Sequence, residues 1–201
     1  MRKKLTLLLI FFVFTGFSQK IKIVEGDLKS SLKGVKNILV EFEYDDNLKV
    51  GKKTEKEYIE EKVAKYNEKE AGKGDKWLEN WKNDRKERYE PKFMVLFNKV
   101  LTKVDAKADT NLKDYDAKIV IHTYYLEPGF NVGISSMPAA VSFYVTAYNK
   151  KGEKLFKLDS IKMPGSSFSG GDFDAGVRIR ESYAKGAKTL ASFLIKKKAF
   201  K

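Results

Sequence analysis

Apolar and polar residues alternate along several short segments, which is the pattern of strands with one buried face. The clearest early case is segment 37–44, in which four apolar side chains share one face: Ile38, Val40, Phe42 and Tyr44. Segment 117–126 is apolar on both faces, which is typical of a central strand. Three further segments fit strands: 20–24, 140–148 and 155–163. The pattern therefore predicts four to five strands.

Helical spacing separates the early strands from the later ones. Thr54 and Glu57 form a capping box that opens a first helix, and Gly72 ends it. Asp75 is the predicted cap of a second helix, which Pro91 kinks or restarts. Two more segments have helical spacing: 93–104, which is apolar on more than one face, and 174–196.

The order of these elements predicts the fold class. Three late strands with short links form an antiparallel meander, and a helical crossover lets segment 37–44 join the same sheet in parallel. We expect an α+β fold: a two-layer sandwich with a mostly antiparallel sheet of four to five strands and helices on one face.

The first 18 residues have the three parts of a secretory signal. A basic start at residues 2–4 precedes the apolar run 5–14, and Gly16 and Ser18 place small residues before a cut at Gln19. The run is too short to span a membrane, and no later segment approaches that length. We therefore expect a signal peptide at 1–18 and one domain at 19–201, exported to the periplasm or the extracellular space.

Charge limits the classes of partner. Removing residues 1–18 takes three basic residues and no acidic residue from a formal net charge of +13, which leaves +10. The positive charge is almost entirely lysine, whereas nucleic-acid recognition favours arginine forks, so we expect no nucleic-acid partner. An envelope protein or an acidic polymer fits the charge better.

Several kinds of chemistry are excluded by composition. The chain has no cysteine and a single histidine, His122, so zinc sites built from paired histidines or cysteines are excluded, and we expect no metal and no cofactor. His122 lies within a predicted strand, where a packed or half-exposed histidine without a catalytic role is expected. Carboxylate pairs such as Glu60 and Glu61 remain, and so does a Ser-Lys pair of Ser166 or Ser169 with Lys185 or Lys188.

Two loops are candidates for function. The first, 127–138, carries apolar residues where turns are usually polar: Phe130, Val132, Ile134 and Met137. It either caps the open end of the core or docks a partner or an apolar ligand. The second loop, 164–171, contains Ser166 and Ser169 and leads into the last helix, where Arg178 would attract an anion. The alternative for this second loop is a flexible connector with a local cap.

Segments 34–42 and 173–185 resemble uncharacterised small exported proteins of Gram-negative bacteria. The arrangement over 117–196 is similar in topology to periplasmic domains of outer-membrane assembly lipoproteins, although this chain lacks their lipid-anchoring cysteine. The resemblance implies an accessory role in the envelope and transfers no site residue. We expect a non-enzymatic exported binding or envelope-assembly module, and the alternative is a hydrolase of envelope polymers that uses carboxylates or a Ser-Lys pair.

Overall fold

The computed structural model describes residues 20–132, 135–165 and 174–201, so the predicted signal peptide lies outside the described residues. The strands are β1 (Lys20–Gly26), β2 (Asn37–Val50), β3 (Lys53–Thr54), β4 (Lys107–Asp109), β5 (Ala117–Glu127), β6 (Phe130–Asn131), β7 (Ser136–Met137), β8 (Ala140–Asn149) and β9 (Lys154–Pro164). The helices are α1 (Glu55–Lys69), α2 (Lys73–Asp84), α3 (Glu90–Leu101) and α4 (Ala175–Lys196).

Seven of the described strands form one mixed sheet in the order β1-β9-β8-β5-β2-β3, with β4 paired to β2. β2 runs parallel to both β4 and β5, and the other pairs are antiparallel. The α+β class was predicted, but the expected sheet of four to five mostly antiparallel strands is corrected to a mixed sheet of seven. β3 and β4 are only two and three residues long, too short to show a periodic pattern.

Two irregular positions change which side chains face the core. In β2 the register shifts between Tyr44 and Lys49, and the strand continues to Val50 beyond its predicted end. In β5 a bulge at Tyr124 turns both Tyr124 and Tyr125 away from the core, so that Leu126 is buried. In a strand without a bulge, Tyr124 and Leu126 would share a face.

The core lies between the sheet and the helices α3 and α4. Tyr89 stacks on Tyr183 with ring centroids 5.2 Å apart, and Phe93 meets Phe42 edge to face at 5.3 Å. Gly186 brings α4 close to the sheet, because a Cβ at this position would lie 2.9 Å from the Phe143 ring. Large aromatic side chains therefore fill the core in place of disulfides.

The helix ends follow local chemistry. Thr54 accepts the Glu57 amide and the Glu57 carboxylate accepts the Thr54 amide, as the capping box predicted. α2 begins after Gly72, so Asp75 lies in its first turn and is not the cap. A π-helical turn (Arg85–Tyr89) joins α2 to α3 just before Pro91, whose missing amide and bulky ring disfavour regular α-helical bonding there. Across the described ranges, no helix combines the length and apolarity needed to cross a membrane.

Candidate functional site

The first candidate loop contains a small hairpin of its own. Phe130 pairs with Met137 and Asn131 with Ser136, so β6 and β7 form a two-stranded ribbon beside the main sheet. Phe130 is 42% exposed and Val132 is 65% exposed, whereas Met137 is half-buried. Ile134 lies outside the described residues. The structure thus presents two of the four predicted apolar side chains to solvent.

The entry to this hairpin requires glycine. Gly129 has φ of +61°, and a Cβ there would overlap the carbonyl oxygen of Met137. The carboxylate of Glu127 accepts the Gly129 amide at 3.1 Å and the Tyr125 hydroxyl at 3.2 Å. The turn into the hairpin is therefore defined by backbone conformation and by a side-chain cap.

Arg178 links the hairpin to α4. Its side chain is buried, with 6% of the residue exposed, and its guanidinium donates from Nε to the Pro128 carbonyl at 2.9 Å and from Nη2 to the Gly129 carbonyl at 3.2 Å. A rigid planar fork suits two adjacent carbonyls. The predicted anion-binding role of Arg178 stays a prediction, and the observed contacts give it the role of an anchor for the hairpin.

The second candidate loop begins beside the same helix. The Gly165 amide donates to the Ala139 carbonyl at 2.7 Å, and a Cβ at Gly165 would lie 2.8 Å from the Arg178 carbonyl oxygen and 2.9 Å from Ser182 Oγ. Ser166 and Ser169 lie outside the described residues. The structure therefore brings the described start of the second loop and the base of the first against the same turns of α4.

The N-terminus of α4 already carries carboxylates of this chain. Asp174 is the N-cap of α4 and accepts the Gly176 amide at 2.8 Å. The Asp84 carboxylate lies so close to Gly176 that a Cβ at position 176 would overlap it. Arg88 forms ion pairs with both carboxylates, at 3.0 Å from Asp84 and 2.6 Å from Asp174. Burial raises the pKa of Asp84 above its ordinary value, although the Arg88 charge opposes that shift.

A pocket of about 210 Å³ adjoins the hairpin. It is lined by Tyr125, Glu127, Met137, Pro138, Ala140, Lys162 and Pro164. Of these, only Met137 was singled out from the sequence. The bulge at Tyr124 is what turns Tyr125 outward to the pocket, and nothing in the local periodicity marks that bulge.

The face of the sheet that points away from the helices carries a cluster of polar side chains around His122. His122 Nδ1 lies 3.1 Å from Glu43 Oε2, and its Nε2 lies 3.1 Å from Asp45 Oδ2. Tyr144 stacks on Tyr124 with ring centroids 4.6 Å apart. The two carboxylates bind opposite nitrogens of one ring, and no group of three or more potential metal ligands converges in the part of the chain that the structure describes.

The described lysines and glutamates considered for a hydrolase are exposed or engaged in surface ion pairs. Lys185 and Lys188 are exposed on α4, whereas a Ser-Lys nucleophile needs a desolvated lysine. Glu60 is exposed, and Glu61 forms an ion pair with Lys53. The described residues thus supply no specific observation in favour of the hydrolase alternative.

No protein-family model matches this chain, and no curated protein matches it. This chain is similar to solved structures that include PelC from Paraburkholderia phytofirmans, described as a dodecamer. The identity is 10%, the match covers 85% of this chain and 98% of that chain, and the TM-score is 0.39. Another is a protein from Xanthomonas campestris, with 10% identity, 81% and 85% covered, and a TM-score of 0.36. Similarities at this level carry no argument about function.

Proposed function

We propose that this protein is an exported, non-enzymatic binding or assembly module of the bacterial cell envelope, and that the 127–138 hairpin docks its partner. The observation that carries the proposal is the exposure of Phe130 and Val132 on a hairpin whose base is held by the buried Arg178. Loops carry function when a rigid scaffold positions them.

The described base of the hairpin is suited to docking because little order has to be gained there on binding. Gly129 and the Glu127 cap define the turn, the pairing of Phe130 with Met137 defines the register, and Arg178 holds the base. A preorganised loop loses less conformational entropy when it binds. Exposed aromatic residues such as Phe130 are typical anchors of protein interfaces.

The adjoining pocket indicates the kind of partner. Met137, Pro138 and Pro164 make much of its lining apolar, while Glu127 and Lys162 add one charge of each sign. An apolar side chain would fill this space and polar groups at the rim would orient it. This composition favours an envelope protein over an acidic polymer as the partner of the hairpin.

The test is a double substitution, Phe130→Ser with Val132→Ser. Both side chains are exposed, so the melting temperature should change by less than about 2 °C, because surface changes cost little. Partner capture from an envelope extract, quantified by mass spectrometry, should be lost. Val95→Ser is the matched control, since Val95 is 62% exposed on α3, away from the hairpin. Each protein captured by wild type and by the control would then be purified and its affinity measured by calorimetry.

The alternative, in which the hairpin only caps the core, has a different outcome. The double variant would then melt several degrees lower, as a loss of one or more kcal/mol produces in a domain of this size. A large fall in melting temperature with capture intact at low temperature would contradict docking. Equal loss of capture in the Val95→Ser control would also contradict it.

A further inference from the structure

α3 and α4 lie side by side and leave a groove of about 740 Å³ on the surface of the helical layer. Leu96, Ala184 and Phe193 give it an apolar floor. The contributing positions of α4 run from Glu181 to Lys196, which spans about 22 Å at 1.5 Å per residue. The groove shares no lining residue with the hairpin pocket, so it is a separate surface.

The rim of the groove is strongly basic. It carries four lysines: Lys92, Lys185, Lys188 and Lys196. The one acidic side chain of the rim is Glu181. Its Oε1 forms an ion pair with Arg180 Nη2 at 2.9 Å and lies 3.8 Å from Lys92 Nζ. No carboxylate among the described residues lies within 4.0 Å of the other three ammonium groups. This part of the surface therefore has an uncompensated positive charge beside apolar side chains.

We propose that this groove binds an acidic amphipathic helix of a partner protein. A helix has the width to lie in the trough between two neighbouring helices, and about 15 of its residues would span the groove. Its apolar face would cover the Leu96 and Phe193 side chains, and its flanking carboxylates would meet the lysine rim. An acidic polysaccharide lacks the continuous apolar face, and an anionic bilayer is the competing occupant that the vesicle measurement addresses.

The probe is a synthetic 18-residue peptide with leucines at helical spacing on one face and glutamates on the other positions. Its binding to the purified protein is measured by fluorescence anisotropy at fixed ionic strength. Reversing two rim charges, Lys185→Glu with Lys188→Glu, should weaken binding about tenfold or more, because two attractive contacts become repulsive. The matched control is Lys33→Glu with Lys151→Glu, which has the same net charge and changes exposed lysines elsewhere.

Each possible outcome of these binding measurements either supports or contradicts the proposal. Tight binding by wild type and by the control, with loss in the groove variant, supports it, provided that all variants keep their melting temperature. The Phe130→Ser and Val132→Ser variant should bind the peptide normally, since the hairpin is a separate surface. Absent binding, equal binding of a scrambled peptide of the same composition, or equal loss in both charge-reversal variants would overturn the proposal. So would weaker binding to phosphatidylglycerol vesicles in the groove variant with peptide binding unchanged.

Discussion

His122 is the single histidine of the chain, and both of its ring nitrogens face carboxylates. Burial acts to lower the pKa of His122, but the hydrogen bonds and charges of Asp45 and Glu43 outweigh it and raise the pKa above the ordinary value of 6.5. The same contact with His122 lowers the pKa of Asp45. The protonated ring therefore joins β5 to β2 on the solvent-side face of the sheet.

This arrangement predicts a pH-dependent term in stability. Because the folded pKa of His122 lies above the unfolded one, its contribution is fully present below about pH 6.5 and is lost as pH rises through the folded pKa. The free energy of unfolding of wild type, relative to His122→Gln, should fall between pH 5.5 and 8.5 by less than about 1 kcal/mol, as for partly exposed pairs. Urea denaturation measures the difference, and a flat or rising difference would contradict the prediction.

Phe97 provides a test of the core at a single residue. It is completely buried and lies 5.5 Å from the Phe93 ring between centroids. Phe97→Ala should lower the free energy of unfolding by about 3–5 kcal/mol, because the lost burial and the residual cavity add. Val95→Ala on the exposed face of the same helix should change it by less than about 0.5 kcal/mol. A loss below about 1 kcal/mol for Phe97→Ala, measured by chemical denaturation, would mean that the core is packed differently.

Among the elements, α4 connects the candidate hairpin to the core. Its buried face packs on the sheet, its first turns hold the hairpin base through Arg178, and its exposed face forms one side of the basic groove. Asp174, Asp84 and Arg88 secure its N-terminus. Both proposed binding surfaces therefore depend on the position of one helix.

The anchor predicts an effect on hairpin order. Arg178→Ala should cost about 2–4 kcal/mol, because it removes a buried charged donor and leaves the Pro128 and Gly129 carbonyls without its hydrogen bonds. Limited proteolysis should then cut within 127–138 faster than in wild type. Arg180→Ala is the control, since Arg180 is partly exposed and pairs with its neighbour Glu181; about 1 kcal/mol or less is expected. An unchanged rate of cleavage within 127–138 in the Arg178→Ala variant would contradict the anchoring role of Arg178.

On the scale of the whole molecule, aromatic burial supplies stability without disulfides, and lysine-rich surfaces supply charge. The connection between the parallel neighbours β2 and β5 is long and contains three α-helices, α1, α2 and α3. Export would expose this positive surface to the envelope, where it would attract partners of negative charge.

Export is testable by the mass of the protein. We expect the exported protein to begin at Gln19, which cyclises readily, because Gly16 and Ser18 satisfy the small-residue rule for the cut. Mass spectrometry of the intact protein and of its N-terminal peptide reads this directly. Recovery of the folded, exported protein with residues 1–18 attached would contradict the signal peptide.

Elements whose patterns are local could be predicted from the amino-acid sequence. The alternation in 37–44 placed Ile38 and Val40 in the core, the Thr54 capping box placed the start of α1, and the long apolar stripe placed α4 within a residue of its observed start. These features depend on residues only a few positions apart. Neighbouring side chains share a strand face or cap a nearby amide in the same way wherever the segment lies in the fold.

The register of the sheet and the composition of the surfaces depend instead on contacts between distant segments. The bulge at Tyr124, the pairing of β4 with β2, and the contact of Arg178 with the carbonyls of 128 and 129 join residues far apart in the chain. His122 likewise meets Glu43 and Asp45 only because β2 and β5 are parallel neighbours. Such contacts arise from packing many segments at once, so a local pattern of apolar and polar residues cannot specify them.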